Sequence, residues 1–533
     1  MRVGGLWLGA GVVVLVACVG DDPAPVGPAD GGVTAGKAIG EACAAGEACA
    51  SGACADGVCC DSPCAGVCEA CDVPGRAGQC TPVTGQPRHG ACEGEASGAC
   101  AGSCDGKQGD ACAYPDVACA PGSCAAGVAT LAAKCARGTC PAATTQACAL
   151  GCFEDGCLGV KQMTAGYSFA CAVLTDGKVR CWGDNAYGQI GSVAAGPTQK
   201  TPLEVPGLTN VVSVAATCGT ACALLADKTV TCWGSNSSGQ LGQGVVDTNV
   251  HATPAPVPGL TGVTFLAGSS GGTFCAIVDG GVIRCWGGNG VGQVGDGSSG
   301  APKPSPSTVC LPGSTAVPCS PAVGATFVAG GDDHTCAVLA GGQVACWGGN
   351  GFAQLGRAAD NVAHPFPAVV AGLTATHLTG GNRMTCAASG GGAKCWGSNG
   401  AGRLGNGTND IAQVTPVSVC TKQDCSTLLT NVTAVSTYDI SVCALVGGAV
   451  KCWGDNTDGQ LGDGNATTSQ NFAASTAIAG GAVQVVSGGQ TNYAVVVDGA
   501  NRDVRCWGTD GQGECGDDAP AGTERKTPVG PKW

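Results

Sequence analysis

Residues able to run a reaction are few in this chain and scattered. Its five histidines are His89, His251, His334, His364 and His377, and no two stand at metal-ligand spacing. His334 occupies a slot filled elsewhere by Phe169, Thr220, Thr273, Met384 and Ser441, and a position that accepts those side chains reads as structural. No Gly-x-Ser-x-Gly elbow follows an apolar run, and no Walker-type Gly-Lys-Ser/Thr occurs. The acidic pairs Asp332-Asp333 and Asp517-Asp518 have the chemistry to hold Ca²⁺ or to act as acid and base, but without further ligands they read as solvated loop residues. The expectation is a chain with no catalytic residues, no metal and no cofactor.

Cysteine is the abundant reactive type, with 40 in 533 residues. Spacings such as Cys68-x-x-Cys71 and Cys100-x-x-x-Cys104 suit zinc in principle, yet His89 is the single imidazole near them. Disulfides are the alternative, and they need an oxidising compartment. The start of the chain points to one. Arg2, the apolar stretch Val3 to Val16 and then Leu15-Val16-Ala17-Cys18 resemble a bacterial lipoprotein signal, which would make Cys18 the lipidated first residue of an exported chain. An ordinary signal peptide cut near Ala17 is the other reading, and it exports the protein too. The expected location is the cell envelope, periplasmic or surface-exposed, with the lipid holding the chain to a membrane.

Composition divides the chain into regions. Residues 1–17 read as the signal, and 18–42, rich in Gly, Ala, Pro and Asp, as a flexible tether. From 43 to 158 there are twenty cysteines but one Phe, one Tyr and no Trp, so disulfides must shape this irregular segment. Residues 159–533 form the last region. Net charge is −14, which repels phosphate backbones and excludes nucleic acid as a natural partner.

That last region is repetitive. Cys-Trp-Gly begins at 181, 232, 285, 346, 395, 452 and 506. Before each copy lies a Cys-Ala-Val or similar run and a Gly-containing turn; after most comes a polar pair and Gly-Gln-Leu-Gly, as at Gly459, Gln460, Leu461 and Gly462. Alternating apolar residues around the turn predict antiparallel hairpins. The pairs Cys171/Cys181, Cys222/Cys232, Cys275/Cys285, Cys336/Cys346, Cys386/Cys395 and Cys443/Cys452 would then face each other across the hairpin, at roughly 4.5 Å between Cα atoms, and form disulfides. In the seventh repeat Ala494 is read at the first cysteine's place, leaving Cys506 without its usual partner. Cys310/Cys319 and Cys420/Cys425 pair within insertions, and Cys218, Cys506 and Cys515 allow one pair and one free thiol.

Small sheets of this kind cannot bury both faces alone, so the fold class is all-β: a seven-bladed β-propeller preceded by the disulfide-rich segment. The tail Lys526-Thr527-Pro528-Val529 copies Lys200-Thr201-Pro202-Leu203, which suggests ring closure by a strand shared between the two ends. The whole pattern over residues 160–533 resembles the regulator of chromosome condensation repeat family, and the resemblance implies seven blades. The eukaryotic namesake is an exchange factor for a small GTPase that binds nucleosomes; this acidic chain lacks a basic arm, and that activity is not carried over. A secreted propeller-type β-lactamase inhibitory protein, which binds a protein partner on one face, is similar in its repeats.

The function expected is non-covalent docking of an unidentified protein or glycan onto preformed loops. Tyr187 and Phe352, aromatics at one equivalent turn position, are the candidate anchors. The insertions Asp296 to Pro321 and Asn406 to Leu429 are expected to project from one side of the ring. The alternatives are a hydrolase or lyase with carboxylates at the ring mouth, or a passive envelope spacer or adhesin.

Overall fold

The computed structural model describes residues 36–533 except 95–96, 193–195, 467–468 and 521. The signal segment, Cys18 and residues 18–35 of the tether lie outside the described residues. The chain separates into two compact units, one of residues up to Cys119 with Lys134–Pro141, the other of Ala120–Ala133 with Ala142–Trp533. The cysteine-rich stretch is thus divided between them rather than ending as one segment at 158.

In the first unit, two-stranded ribbons are tied by pairs such as Cys49–Cys59, Cys60–Cys71 and Cys68–Cys104, and Cys59, Cys60, Cys68 and Cys71 themselves form the buried interior. Sulfur replaces the apolar side chains this composition lacks. Residues 36–42 already belong here: Gly40 N donates to Cys59 O, and Cys59 N to Glu41 O.

The second unit holds seven four-stranded antiparallel sheets, each built from consecutive strands. Blade 1 is Val160–Ala165, Phe169–Leu174, Val179–Asp184 and Thr198–Glu204; blade 7 is Ala482–Gly488, Thr491–Asp498, Asn501–Asp510 and Thr523–Val529. In a propeller both faces of a sheet meet neighbouring blades, so second strands lose the usual polar alternation, and every residue of Phe169–Leu174 is buried. Alanine recurs there because the stacked sheets leave little room.

The register sets Cys171 opposite Cys181 in blade 1, and the two are bridged. The same bridge joins Cys222 to Cys232 in blade 2, Cys275 to Cys285 in blade 3, Cys336 to Cys346 in blade 4, Cys386 to Cys395 in blade 5 and Cys443 to Cys452 in blade 6. Cα–Cα separations are 4.0 to 4.1 Å in all six, closer than the spacing expected for unbridged opposite residues, because the sulfur link draws the two strands together. In the insertions Cys310 is bridged to Cys319 and Cys420 to Cys425, at the wider Cα separations of 5.4 and 5.0 Å, since these pairs close loops and do not face each other across a ladder. The glycine of Cys-Trp-Gly follows at positive φ, 102° for Gly183, and a Cβ there would lie 2.4 Å from Ser168 O, so no other residue fits.

Two expectations from sequence are corrected. In blade 7, Tyr493 rather than Ala494 faces Cys506, because the hairpin there runs longer, to Asp498 and Asn501, and shifts the count by one. Cys506 is paired with Cys515, and Cys218 is the free cysteine among the described residues. Nor is a strand exchanged between the ends: Thr523–Val529 pairs with Asn501–Asp510, completing its own blade.

The ring closes through side chains instead. All seven repeat tryptophans are buried, and each indole N–H donates to a backbone carbonyl in the turn of the blade before it. Trp233 reaches Gln189 O at 2.8 Å, Trp286 reaches Gln240, Trp347 reaches Gln293, Trp396 reaches Gln354, Trp453 reaches Arg403 and Trp507 reaches Gln460. Trp182 of blade 1 completes the circle on Glu514 O of blade 7 at 2.6 Å.

Along the axis, Phe265, Phe327 and His377 pack with tilted rings at 4.8 and 4.4 Å between centroids, while Gln484 bonds both N and O of Met163. Burial pushes the His377 imidazole down to about 4. A histidine held neutral in the fold and protonated at 6.5 when unfolded contributes stability above pH 6.5 that is lost as pH falls toward 4. The stability difference between wild type and His377→Phe should therefore shrink by about 2 kcal/mol from pH 6.5 to 4 in denaturant titrations; a constant difference would refute the burial argument. Trp286→Phe, which removes the indole donor from the buried carbonyl of Gln240, should cost about 1–3 kcal/mol in the same assay.

Candidate functional site

Antiparallel order within each blade brings the loop between strands one and two and the loop between strands three and four to the same face. The inner loops ring the axis and differ in sequence from blade to blade, with Tyr167, Cys218, Ser270, Asp332, Arg383 and Asp439 among their residues. The framework beneath is repeated, so this variety is where the blades differ chemically.

These side chains are organised. Cys218 Sγ donates to Ser270 O at 2.7 Å and accepts from the Tyr438 hydroxyl at 3.3 Å. Tyr167 meets Tyr438 edge to face at 6.2 Å. Asn382 Nδ2 donates to Asp439 Oδ1 at 3.0 Å, and Arg403 Nη1 to Asn382 O at 3.1 Å. The Asp332 carboxyl is held above its ordinary range, chiefly by burial and further by Asp439 and Asp333. Cys218 is exposed as a residue, but its sulfur is crowded by these neighbours, and that desolvation pushes the thiol up.

Beside this ring a cavity of about 530 Å³ opens between blades 1 and 2, lined by Tyr167, Asp184, Tyr187, Cys218, Ser237 and Gln240. Tyr167 and Tyr187 are each about half exposed, at 49% and 51%. Tyr187 is fixed through its backbone, its N–H donating to Gln189 Oε1 at 2.8 Å. Rigid aromatic walls around a polar floor suit a side chain from a partner, since little entropy is lost on docking.

Phe352 sits elsewhere. It lines a separate cavity of about 190 Å³, and the Arg383 guanidinium lies 4.7 Å from its ring centroid, so part of its face is already covered. The two aromatics proposed from sequence are thus not brought together. The stapled insertions leave the fourth strands of blades 3 and 5 at equivalent positions. Cys310 N donates to Gly295 O and Cys420 N to Gly405 O, so each loop packs against its own blade's turn, and neither the Cys310–Cys319 nor the Cys420–Cys425 staple lines the Tyr187 cavity.

His334 is buried, with Nε2 2.9 Å from Thr385 Oγ1 of the next blade. Asp333 is engaged by His334 and Gln354, Asp517 by Arg525, and Asp518 by Lys532. Cysteine groups such as Cys60, Cys64 and Cys71 approach a metal-like cluster, yet each of these sulfurs is in a disulfide.

The sequence pattern does not single out Tyr167 or Tyr438, and it marks Cys218 only as one of three candidates for a free thiol. A signal for them is present all the same: aligning the repeats shows one or two residues between the first strand and the Cys-Ala run that differ in every copy.

Models of the regulator of chromosome condensation (RCC1) repeat match residues 160–189, 211–240 and 325–354, and a second such model matches 176–224 and 229–278. A probable E3 ubiquitin-protein ligase, HERC6 of Homo sapiens, is 30% identical over 200 residues, 37% of this chain and 19% of that protein. The RCC2 homolog of Danio rerio is 32% identical over 228 residues, 38% of this chain and 45% of that protein. The chain spans less than half the length of these curated relatives. Among solved structures, human WBSCR16 has 21% identity and a TM-score of 0.54, covering 69% of this chain and 92% of that one. Yeast RCC1 (Prp20) bound to Kap60 has 19% identity and a TM-score of 0.55, covering 66% and 83%. Both show the same propeller fold.

Under non-reducing conditions the described part of the chain should yield one titratable thiol, Cys218. Its alkylation should be several-fold slower than that of a free cysteine at pH 8 and accelerate above pH 9, read by intact mass. Rapid labelling at pH 7, or labelling that survives Cys218→Ser, would contradict the crowded site.

Proposed function

This chain belongs to the regulator of chromosome condensation repeat family, and we propose that its propeller is a docking scaffold for a protein partner, carried by an exported chain held to a bacterial envelope membrane through Cys18. The observation that carries the docking reading is the cavity walled by Tyr167 and Tyr187 on a face whose inner loops differ from blade to blade. Partners of the related yeast propeller support a protein over other ligands, since that protein is described as bound to Kap60 and as having binding properties to Gsp1p and histones. Export is supported by the apolar leader with its Leu-Val-Ala-Cys end and by nineteen disulfides among the described residues, a pattern of oxidising compartments.

Tyrosines that anchor an interface typically carry a kilocalorie or more each. Replacing Tyr167 and Tyr187 together by Ser in the full chain should weaken capture of the envelope partner tenfold or more, measured by cross-linking and quantitative pull-down, with tryptophan fluorescence unchanged. A bulky maleimide on Cys218 should block the same capture. Undiminished capture by both proteins would remove the site. Cys18→Ser should abolish metabolic labelling with palmitate; retained label would remove the anchor.

A further inference from the structure

In six blades the turn after Cys-Trp-Gly is secured by a carboxamide at its start. Asn185, Asn236, Asn289, Asn350, Asn399 and Asn456 each use Oδ1 to accept the backbone N–H five residues on, while Nδ2 donates to loop carbonyls such as Ser192 O and Val245 O. In blades 1 to 4 and 6 a second carboxamide follows: Gln189 Oε1 accepts from Tyr187 N, and its Nε2 donates to Asp184 Oδ2 at 2.7 Å.

Blade 7 replaces both amides by acids. Asp510 stands in the Asn position, Oδ1 accepting from Cys515 N at 2.9 Å, and Glu514 in the Gln position, Oε2 accepting from Gln512 N at 2.7 Å. Each acid keeps the acceptor atom and puts an oxygen where the other blades have NH₂. Both residues are buried, and Asp510 Oδ2 has no hydrogen-bond partner. This turn is the one that shuts the ring, because Glu514 O receives both the Trp182 indole and the Tyr493 hydroxyl, and Cys515 is tied to Cys506.

We infer that the seam between blades 7 and 1 is a proton-operated latch, closed when Asp510 and Glu514 are protonated and loosened when they ionise. A neutral carboxyl has the O–H donor that restores the carboxamide pattern; an ionised one leaves negative charge buried without a donor. The acids facing the pair reinforce this, while Arg525 opposes it. Glu514 looks toward Asp510 and toward Asp184 of blade 1, with the buried Tyr493 phenol beside it. Asp510 has Asp517 on one side and Arg525 Nε at 3.4 Å on the other, but Arg525 is also drawn to Asp517. Lys200 of blade 1 borders the turn, its carbonyl accepting from Asp518 N. Burial lifts the Glu514 carboxyl to about 7 and raises Asp510 in the same direction. For an acid raised in the folded state from 4.5, the stabilisation is complete below about pH 4.5 and is lost as pH climbs through 7.

The test is hydrogen exchange by mass spectrometry on the full chain between pH 5.5 and 8, corrected for intrinsic rates. Protection of residues 510–516 is compared with the equivalent 289–295 of blade 3. Relative protection of the blade 7 turn should fall roughly twentyfold over this range. In Asp510→Asn with Glu514→Gln, which restores the side chains of the other blades, the ratio should stay flat. A flat ratio in the unaltered chain, or an equal fall in the double variant, would overturn the latch.

Discussion

The indole N–H of each repeat tryptophan cannot be buried in a blade of its own, because the strands around it have already spent their carbonyls on one another. It needs an acceptor outside the sheet, and the neighbouring turn supplies one at 2.6 to 3.0 Å seven times over. A blade is therefore complete only with the preceding blade in place. Much else serves this contact: the cross-strand disulfides fix the strand bearing the tryptophan, the glycine after it lets the chain bulge, and the Asn and Gln side chains hold the accepting turn in shape.

Departures from the repeat gather where that circle shuts. Tyr493 replaces a half-cystine, Cys515 replaces the aliphatic residue of the turn, and Glu514 and Asp510 replace its amides, all within one blade. A propeller that closes by sharing a strand has a ladder of backbone hydrogen bonds across the join. This one has none, since each sheet is built from consecutive strands. The Cys506–Cys515 bridge and the Tyr493 hydroxyl bond to Glu514 O brace the last turn in its absence. Residues 142–158 add a further brace on the long hairpin of the same blade, with Gln146 Nε2 donating to Asp498 O and Gln146 Oε1 accepting from Ala500 N.

The blades are legible in the sequence because their signals are local and repeated. Cys171 and Cys181, ten residues apart around an Asp-Gly turn, specify register with no knowledge of the rest of the molecule, and the pairs ending at Cys232, Cys285, Cys346, Cys395 and Cys452 repeat the statement. Ring closure is not legible in the same way. The likeness of Lys526-Thr527-Pro528-Val529 to Lys200-Thr201-Pro202-Leu203 is equally consistent with a fourth strand in its own blade, and only long-range packing decides between them. Ala494 differs from its expected place through a lengthened hairpin, an insertion that counting along a chain cannot locate. Tyr187 is visible as an exposed aromatic, but its neighbours Tyr167 and Cys218 lie 20 residues before it and 31 after, and the cavity exists only once blades 1 and 2 are set side by side.

Division of labour accounts for how little of the repeat's chemistry is available to a ligand. Asn, Gln, Trp, Cys and Gly recur because the inter-blade contact and the hairpin demand them, and their hydrogen-bonding capacity is consumed in the framework. What remains free to vary is a short segment between the first two strands of each blade, presented around an axis where Phe265, Phe327 and His377 help line a cavity of about 220 Å³. Such a face holds Tyr, Cys, Asp and Arg side chains at fixed spacing, several of them bonded from blade to blade, as Cys218 is to Ser270 and Tyr438. Because the repeated turns and indoles carry the inter-blade framework, exposed residues of the face such as Tyr167 and Tyr187 can change while the wheel beneath them does not.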